Sequence, residues 1–206
     1  MSVSLQLPES AIVTEPGRIP SDDEIQAALR KNLGDMEGFE GRVAPITAAI
    51  DRARGSAALG VALIALIAVR DEDSGEAASA TVMLMSTDFS EVLAATPGGG
   101  SESGLAEELA ADDYVESSDG RILQLVQLPA GEGVRAAAFW SSDGTEPADE
   151  LSVTYYVPVV GTQQALALHC RTRSVDHQAA MRKMFDRIAE SLELNYGPEN
   201  PDTHGV

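Results

Sequence analysis

The chain has 206 residues, and its formal net charge of -19 sets a field that opposes nucleic-acid phosphates, with no lysine or arginine stripe to offset it. Its hydrophobic fraction of 44% is enough to build a core and argues against wholesale disorder. With one cysteine, Cys170, it cannot close an intramolecular disulfide, which fits a reducing compartment.

The opening "MSVSLQLPES" lacks a basic region followed by an apolar core, so no secretory signal is read there and the expected location is the cytoplasm. Leu5 to Val13 reads as a short strand broken at Pro8. "PSDDEIQAALRKNLG" carries the clearest local signal. Ser21 caps a helix, Glu24 closes a capping box, and Ile25, Ala28, Leu29 and Leu33 form one apolar stripe that ends at Gly34. A second helix is expected over 44–54.

"GVALIALIAV" (60–69) is the most apolar stretch. Apolar and small residues run from Ala57 to Val69, about thirteen positions against the roughly twenty that a helix needs to cross a bilayer. Acids follow it, and its β-branched residues Val61, Ile64, Ile67 and Val69 favour a strand buried on both faces. A partner strand is expected near 79–86, across the wet turn "RDEDSGEAAS". "TPGGGSESG" (96–104) reads as a flexible linker and "LAEELAADD" as a short helix.

From Arg121 the apolar period becomes two. "RILQLVQLPAG" and "GVRAAAFW" predict a hairpin, then "LSVTYYVPVVG" and "TQQALALHCRTRS" predict two more strands joined at Gly161-Thr162. Leu151, Val153, Tyr155, Val157 and Val159 share one face, as do Leu166, Leu168 and Cys170. Pro158 removes a ladder donor, which predicts an edge strand or a bulge there. A final helix is expected from Val175 to Leu194, opened by Ser174. Met181, Met184, Phe185, Ile188 and Leu192 repeat at helical spacing, and burying them is worth roughly 8–15 kcal/mol before entropy is subtracted.

Together these elements predict an α+β domain over 1–196. It comprises a helical part at 20–55, then an antiparallel sheet of about six strands and its covering helix at 57–194. A flexible tail is expected at 197–206.

The stretch "LSVTYYVPVVGTQQALALHCRTRSVDHQAAMRKMFDRIAESLEL" resembles the ending of a family of uncharacterised actinobacterial proteins, in which "YYVPVPG" precedes a strand and then "FDAIAESL". The likeness covers about residues 120–194. It implies a PsbP-like α/β/α sandwich and a habit of binding other proteins. It carries no catalytic residues. A role as an immunity or secretion-chaperone protein for a basic partner is a further implication, one that the acidic charge also suits.

Chemistry is sparse. Cys170 and His177 are the one nucleophile–base pair worth testing, but Cys170 shares the apolar phase of Leu166 and Leu168, which predicts a buried, inert thiol. "DEDSGE" lacks the regular ligands and terminal glutamate of a calcium loop, histidines and cysteines are too few for a zinc cage, and "PGGGSESG" has no following lysine. No catalytic, metal or cofactor residues are assigned. The expectation is a non-enzymatic binding or adaptor protein with a protein partner, and Trp140, Tyr156, His169 and His177 are the candidate contact residues.

Overall fold

The computed structural model describes residues 2–14, 21–33, 61–70, 77–88, 90, 115–116, 121–140 and 150–196. The helices expected at 44–54 and 105–113, the 96–104 linker and the 197–206 tail lie outside the described residues.

Ten strands and two α-helices are described: β1 (Ser2–Ser4), β2 (Ala11–Thr14), α1 (Asp22–Leu33), β3 (Val61–Arg70), β4 (Ala77–Asp88), β5 (Val115–Glu116), β6 (Ile122–Leu128), β7 (Gly131–Trp140), β8 (Glu150–Pro158), β9 (Gln164–Thr172), α2 (Gln178–Glu190) and β10 (Glu193–Asn195). Eight strands form one antiparallel sheet in the order β2-β3-β4-β9-β8-β7-β6-β5, and β1 pairs with β10 in a separate two-stranded sheet. The fold is therefore α+β with a larger sheet than the six strands expected. The additions to it are β2, which falls within the 5–13 segment, and β5, while β1 and β10 pair apart from it; all four strands have two to four residues, too few for an alternating pattern to mark their bounds.

Two meanders, β2 to β4 and β5 to β9, meet where β4 pairs with β9. The apolar run is a strand, as its β-branched residues predict, and it pairs with β4 as a hairpin. No described helix is long and apolar enough to cross a membrane.

Register explains the core. Across β4, β9 and β8, Val82 stands beside Cys170 and Cys170 beside Val153, while Leu84 stands beside Leu168 and Leu168 beside Tyr155. These side chains share one face, on which α2 lays Met181, Phe185, Ile188 and Ala189, and all belong to one buried cluster. On the other helix, Ile25 and Leu29 are fully buried but stand outside that cluster, and α1 packs against β3.

The capping box forms as read: Ser21 N–H donates to Glu24 Oε2 at 2.8 Å, and Glu24 N–H donates to Ser21 Oγ at 3.3 Å.

Three local expectations are corrected. Of the strand expected over Leu5 to Val13, only the part from Ala11 forms, as β2; residues 5–10 link β1 to β2, and the Pro8 carbonyl accepts the Ala11 N–H at 2.8 Å. Pro158 lies on the interior strand β8, without a bulge, but at its last residue. Val159 N–H turns toward β9, so position 158 points toward β7, where the ladder has already ended at Tyr156. The missing donor therefore costs no ladder bond. Ser174 does not cap α2; its hydroxyl accepts the Ser79 N–H at 3.1 Å, and a 3-10 turn at Val175–His177 precedes the helix. The helix stops at Glu190, after which residues 193–195 become β10.

Candidate functional site

The sheet gathers its polar chemistry in two places. On the α2 face, Arg135 of β7 stands beside Tyr155 of β8 in register. Asp186 of α2 reaches down to both. The Tyr155 hydroxyl donates to Asp186 Oδ1, Arg135 Nε lies 3.3 Å from the same oxygen, and Arg135 Nη1 donates to Gln124 Oε1 at 2.9 Å. The guanidinium also lies 6.0 Å from the Tyr155 ring centroid, within cation–π range. Arg135 is 6% exposed, so this is a charge held inside a sheet–helix interface. Burial first, and the Asp186 carboxylate second, push the Tyr155 phenol far above its ordinary range, which keeps it a hydrogen-bond donor.

The opposite face carries the second group. Glu150, 5% exposed at the start of β8, accepts Arg171 Nε at 2.7 Å and also Arg171 Nη2, and Arg173 Nε lies 3.4 Å from its other oxygen. Two residues back along β9, His169 Nδ1 shares a 2.7 Å hydrogen bond with Thr154 Oγ1. Burial, helped by the nearby Arg171 charge, lowers the His169 pKa to about 4. The imidazole is therefore neutral at physiological pH, with Nδ1 occupied by Thr154.

The remaining predicted residues are dispersed. Cys170 is fully buried on the α2 face, and burial, then the Asp186 charge, push its thiol far above the ordinary range. A thiolate nucleophile is disfavoured there. His177 lies half-buried in the 3-10 turn before α2. Tyr156 is half-buried on the Glu150 side, and its hydroxyl accepts Arg121 Nη1 at 3.4 Å. Trp140 closes β7 opposite Glu150, and its side chain lies outside the described residues. Of the predicted residues whose side chains are described, His169 and Tyr156 lie on one sheet face and Cys170 on the other.

Sequence reasoning passed over Arg135 and Asp186. The signal was available: one arginine interrupts the apolar strand "GVRAAAFW", and one aspartate follows Phe185 on the apolar side of α2. It also favoured Trp140 over its neighbour. Phe139 is 51% exposed, though it faces the same side as buried Leu151, its partner in register. Half-buried Ala137 and Ile122, a register pair on that same face, extend the apolar strip.

No protein-family model, curated protein or solved structure matches the chain.

Proposed function

We propose that this chain is a non-enzymatic binding or adaptor protein that works in the cytoplasm and engages a protein partner through the open end of β7. The observation that carries this reading is Phe139, a large aromatic left half in water on the face that elsewhere packs beneath α2. Aromatic side chains with this exposure serve as interface anchors because they bury a large area at low entropic cost. The reading is supported by where the charges go: Arg135 and Glu150 are each held by partners within the fold, so these groups act as structural ties. The PsbP-like sandwich is part of the same proposal. An antiparallel sheet with α2 on one face, and α1 packed outside the α2-side core, fits that layout.

A second reading, an acidic immunity or secretion-chaperone protein for a basic partner, is favoured by the charge of -19, which steers cationic surfaces at low ionic strength.

The test is affinity capture from native lysate at low and high salt, comparing wild type with Phe139→Ser. The proposal expects a protein held by wild type and lost by the variant, with the circular dichroism of the two chains unchanged. Equal retention by both, or none by either, overturns it. Capture of a basic protein that high salt releases selects the second reading.

A further inference from the structure

A shallow groove runs along α2, between the helix and the segment that links β1 to β2. Pro8, Met184 and Ile188 form its floor, and Gln6, Lys183 and Arg187 stand on its rim. Met184 and Ile188 are four residues apart, as are Lys183 and Arg187, so an apolar row and a cationic row run side by side along the helix. The opposite wall is fixed in place. Gln6 N–H donates to Ser191 Oγ at 2.9 Å just past the end of α2, and β1 is paired with β10 beyond it. The groove is therefore preformed, which lowers the ordering cost of filling it.

Its charge is the opposite of the molecule's. The chain has 14 lysines and arginines against 33 acids, yet both rim cations here are exposed and neither has an ion-pair partner among the described residues. Arg135, Arg171 and Arg173, by contrast, are tied to Asp186 or Glu150. Asp186 lies between Lys183 and Arg187 in sequence, but its carboxylate serves Arg135 and Tyr155. At physiological salt, charges more than about 8 Å apart are largely screened, so remote acids weigh little against two cations at contact.

We infer that this groove docks an acidic peptide segment of a protein partner. An apolar side chain of the segment rests on Met184 and Pro8, and its carboxylates reach Lys183 and Arg187. The inference rests on the binding-protein reading and adds a second surface to it, on the helix rather than the sheet. A basic segment is disfavoured here because it would bring like charges to the rim.

Met184 supplies a local readout. The full chain is labelled with ε-13C methionine, and the Met184 methyl signal is assigned by its loss in Met184→Leu. The probe is a glutamate-rich peptide with leucines on one face, and its control is the same peptide with lysine in place of glutamate. The expected result is a saturable Met184 shift with the glutamate peptide, none with the lysine peptide, and about tenfold weaker binding to Lys183→Glu/Arg187→Glu. A Met184 signal that stays still with the glutamate peptide, moves equally with the lysine peptide, or ignores the charge reversal overturns the inference. If Met184 stays still while Phe139-dependent capture persists, the groove assignment falls and the binding-protein reading stands. If Met184 shifts as expected while that capture fails, the groove stands and the sheet surface falls.

Discussion

Arg135 Nε lies 3.3 Å from Asp186 Oδ1, joining the interior of the sheet to the flank of α2 through a single charge pair. The two partners differ in setting: the Arg135 side chain is 7% exposed and that of Asp186 is 45% exposed. Arg135 Nε is buried and makes no aligned hydrogen bond, so the contact is electrostatic in character. The asymmetry decides what a mutation leaves behind.

Asp186→Ala is expected to destabilise the protein by about 2 kcal/mol, because it strands a buried guanidinium and removes the acceptor of the Tyr155 hydroxyl. Exposure of the aspartate keeps the figure below that for a fully buried pair. Glu150→Gln makes the opposite case. Its arginine partners are 41% and 40% exposed and regain water when the carboxylate is lost, so the expected cost is nearer 1 kcal/mol, on the order of a partly exposed pair. Urea unfolding of both variants checks the order. A Glu150→Gln loss larger than that of Asp186→Ala contradicts it.

His169 gives a pH dependence of definite sign. Its pKa falls from 6.5 to about 4 on folding, so between those values the unfolded chain binds the proton that the folded chain refuses. The stability due to this group is complete above pH 6.5 and declines as pH falls toward 4, amounting to roughly 3 kcal/mol in all. Carboxylates add their own acid sensitivity, so the readout is the difference between wild type and His169→Gln. That difference is expected to narrow between pH 6.5 and 4. An NMR titration placing the His169 ring near 6.5 rules the mechanism out.

The long patterned elements were legible because their periods report burial directly. The run at 61–70 lacks alternation, and β8 and β9 place Val153, Tyr155, Leu166 and Leu168 on one face at period two. The capping box fixed the start of α1, since Ser21 and Glu24 can satisfy each other without tertiary help. What was not legible depends on pairing. β1 and β10 exist as strands because the two ends of the described chain meet, and nothing in "SVS" or "ELN" encodes that meeting. Ser174 looked like a cap because capping is local, but Ser79, distant in sequence, takes its hydroxyl. The functional side suffers from the same limit. Nothing in the sequence singles out Lys183 and Arg187; they gain a setting only when Gln6 and Pro8 are placed opposite them.

Cys170 should behave as a reporter of unfolding. Its side chain is fully buried between Val82 and Val153 in register, and the thiol is held protonated by that burial. A thiol-reactive dye is expected to label the native protein only as fast as the chain opens, with the rate rising in urea in step with unfolding. Immediate labelling in buffer would show that the Cys170 thiol is reached in the folded chain and would revive a reactive role for it.

Two glycines are expected to differ in how they tolerate alanine. A Cβ on Gly133 would stand 2.5 Å from the Tyr156 carbonyl oxygen, and because that atom is backbone on a central strand it cannot swing aside. Gly133→Ala must push β7 away from β8 next to the Arg135–Tyr155 contact, an overpacking expected to cost about 1–3 kcal/mol. Gly161, at φ 78° in the turn between β8 and β9, has nothing within 4 Å, so alanine there meets only backbone strain, of about 1 kcal/mol. The two mechanisms separate in near-ultraviolet circular dichroism as well as in melting temperature. Gly133→Ala should change the Tyr155 environment, whereas Gly161→Ala should lower the melting point and leave the aromatic signal as it was. A Gly133→Ala protein with wild-type stability would mean that the β7–β8 spacing is looser than its register implies.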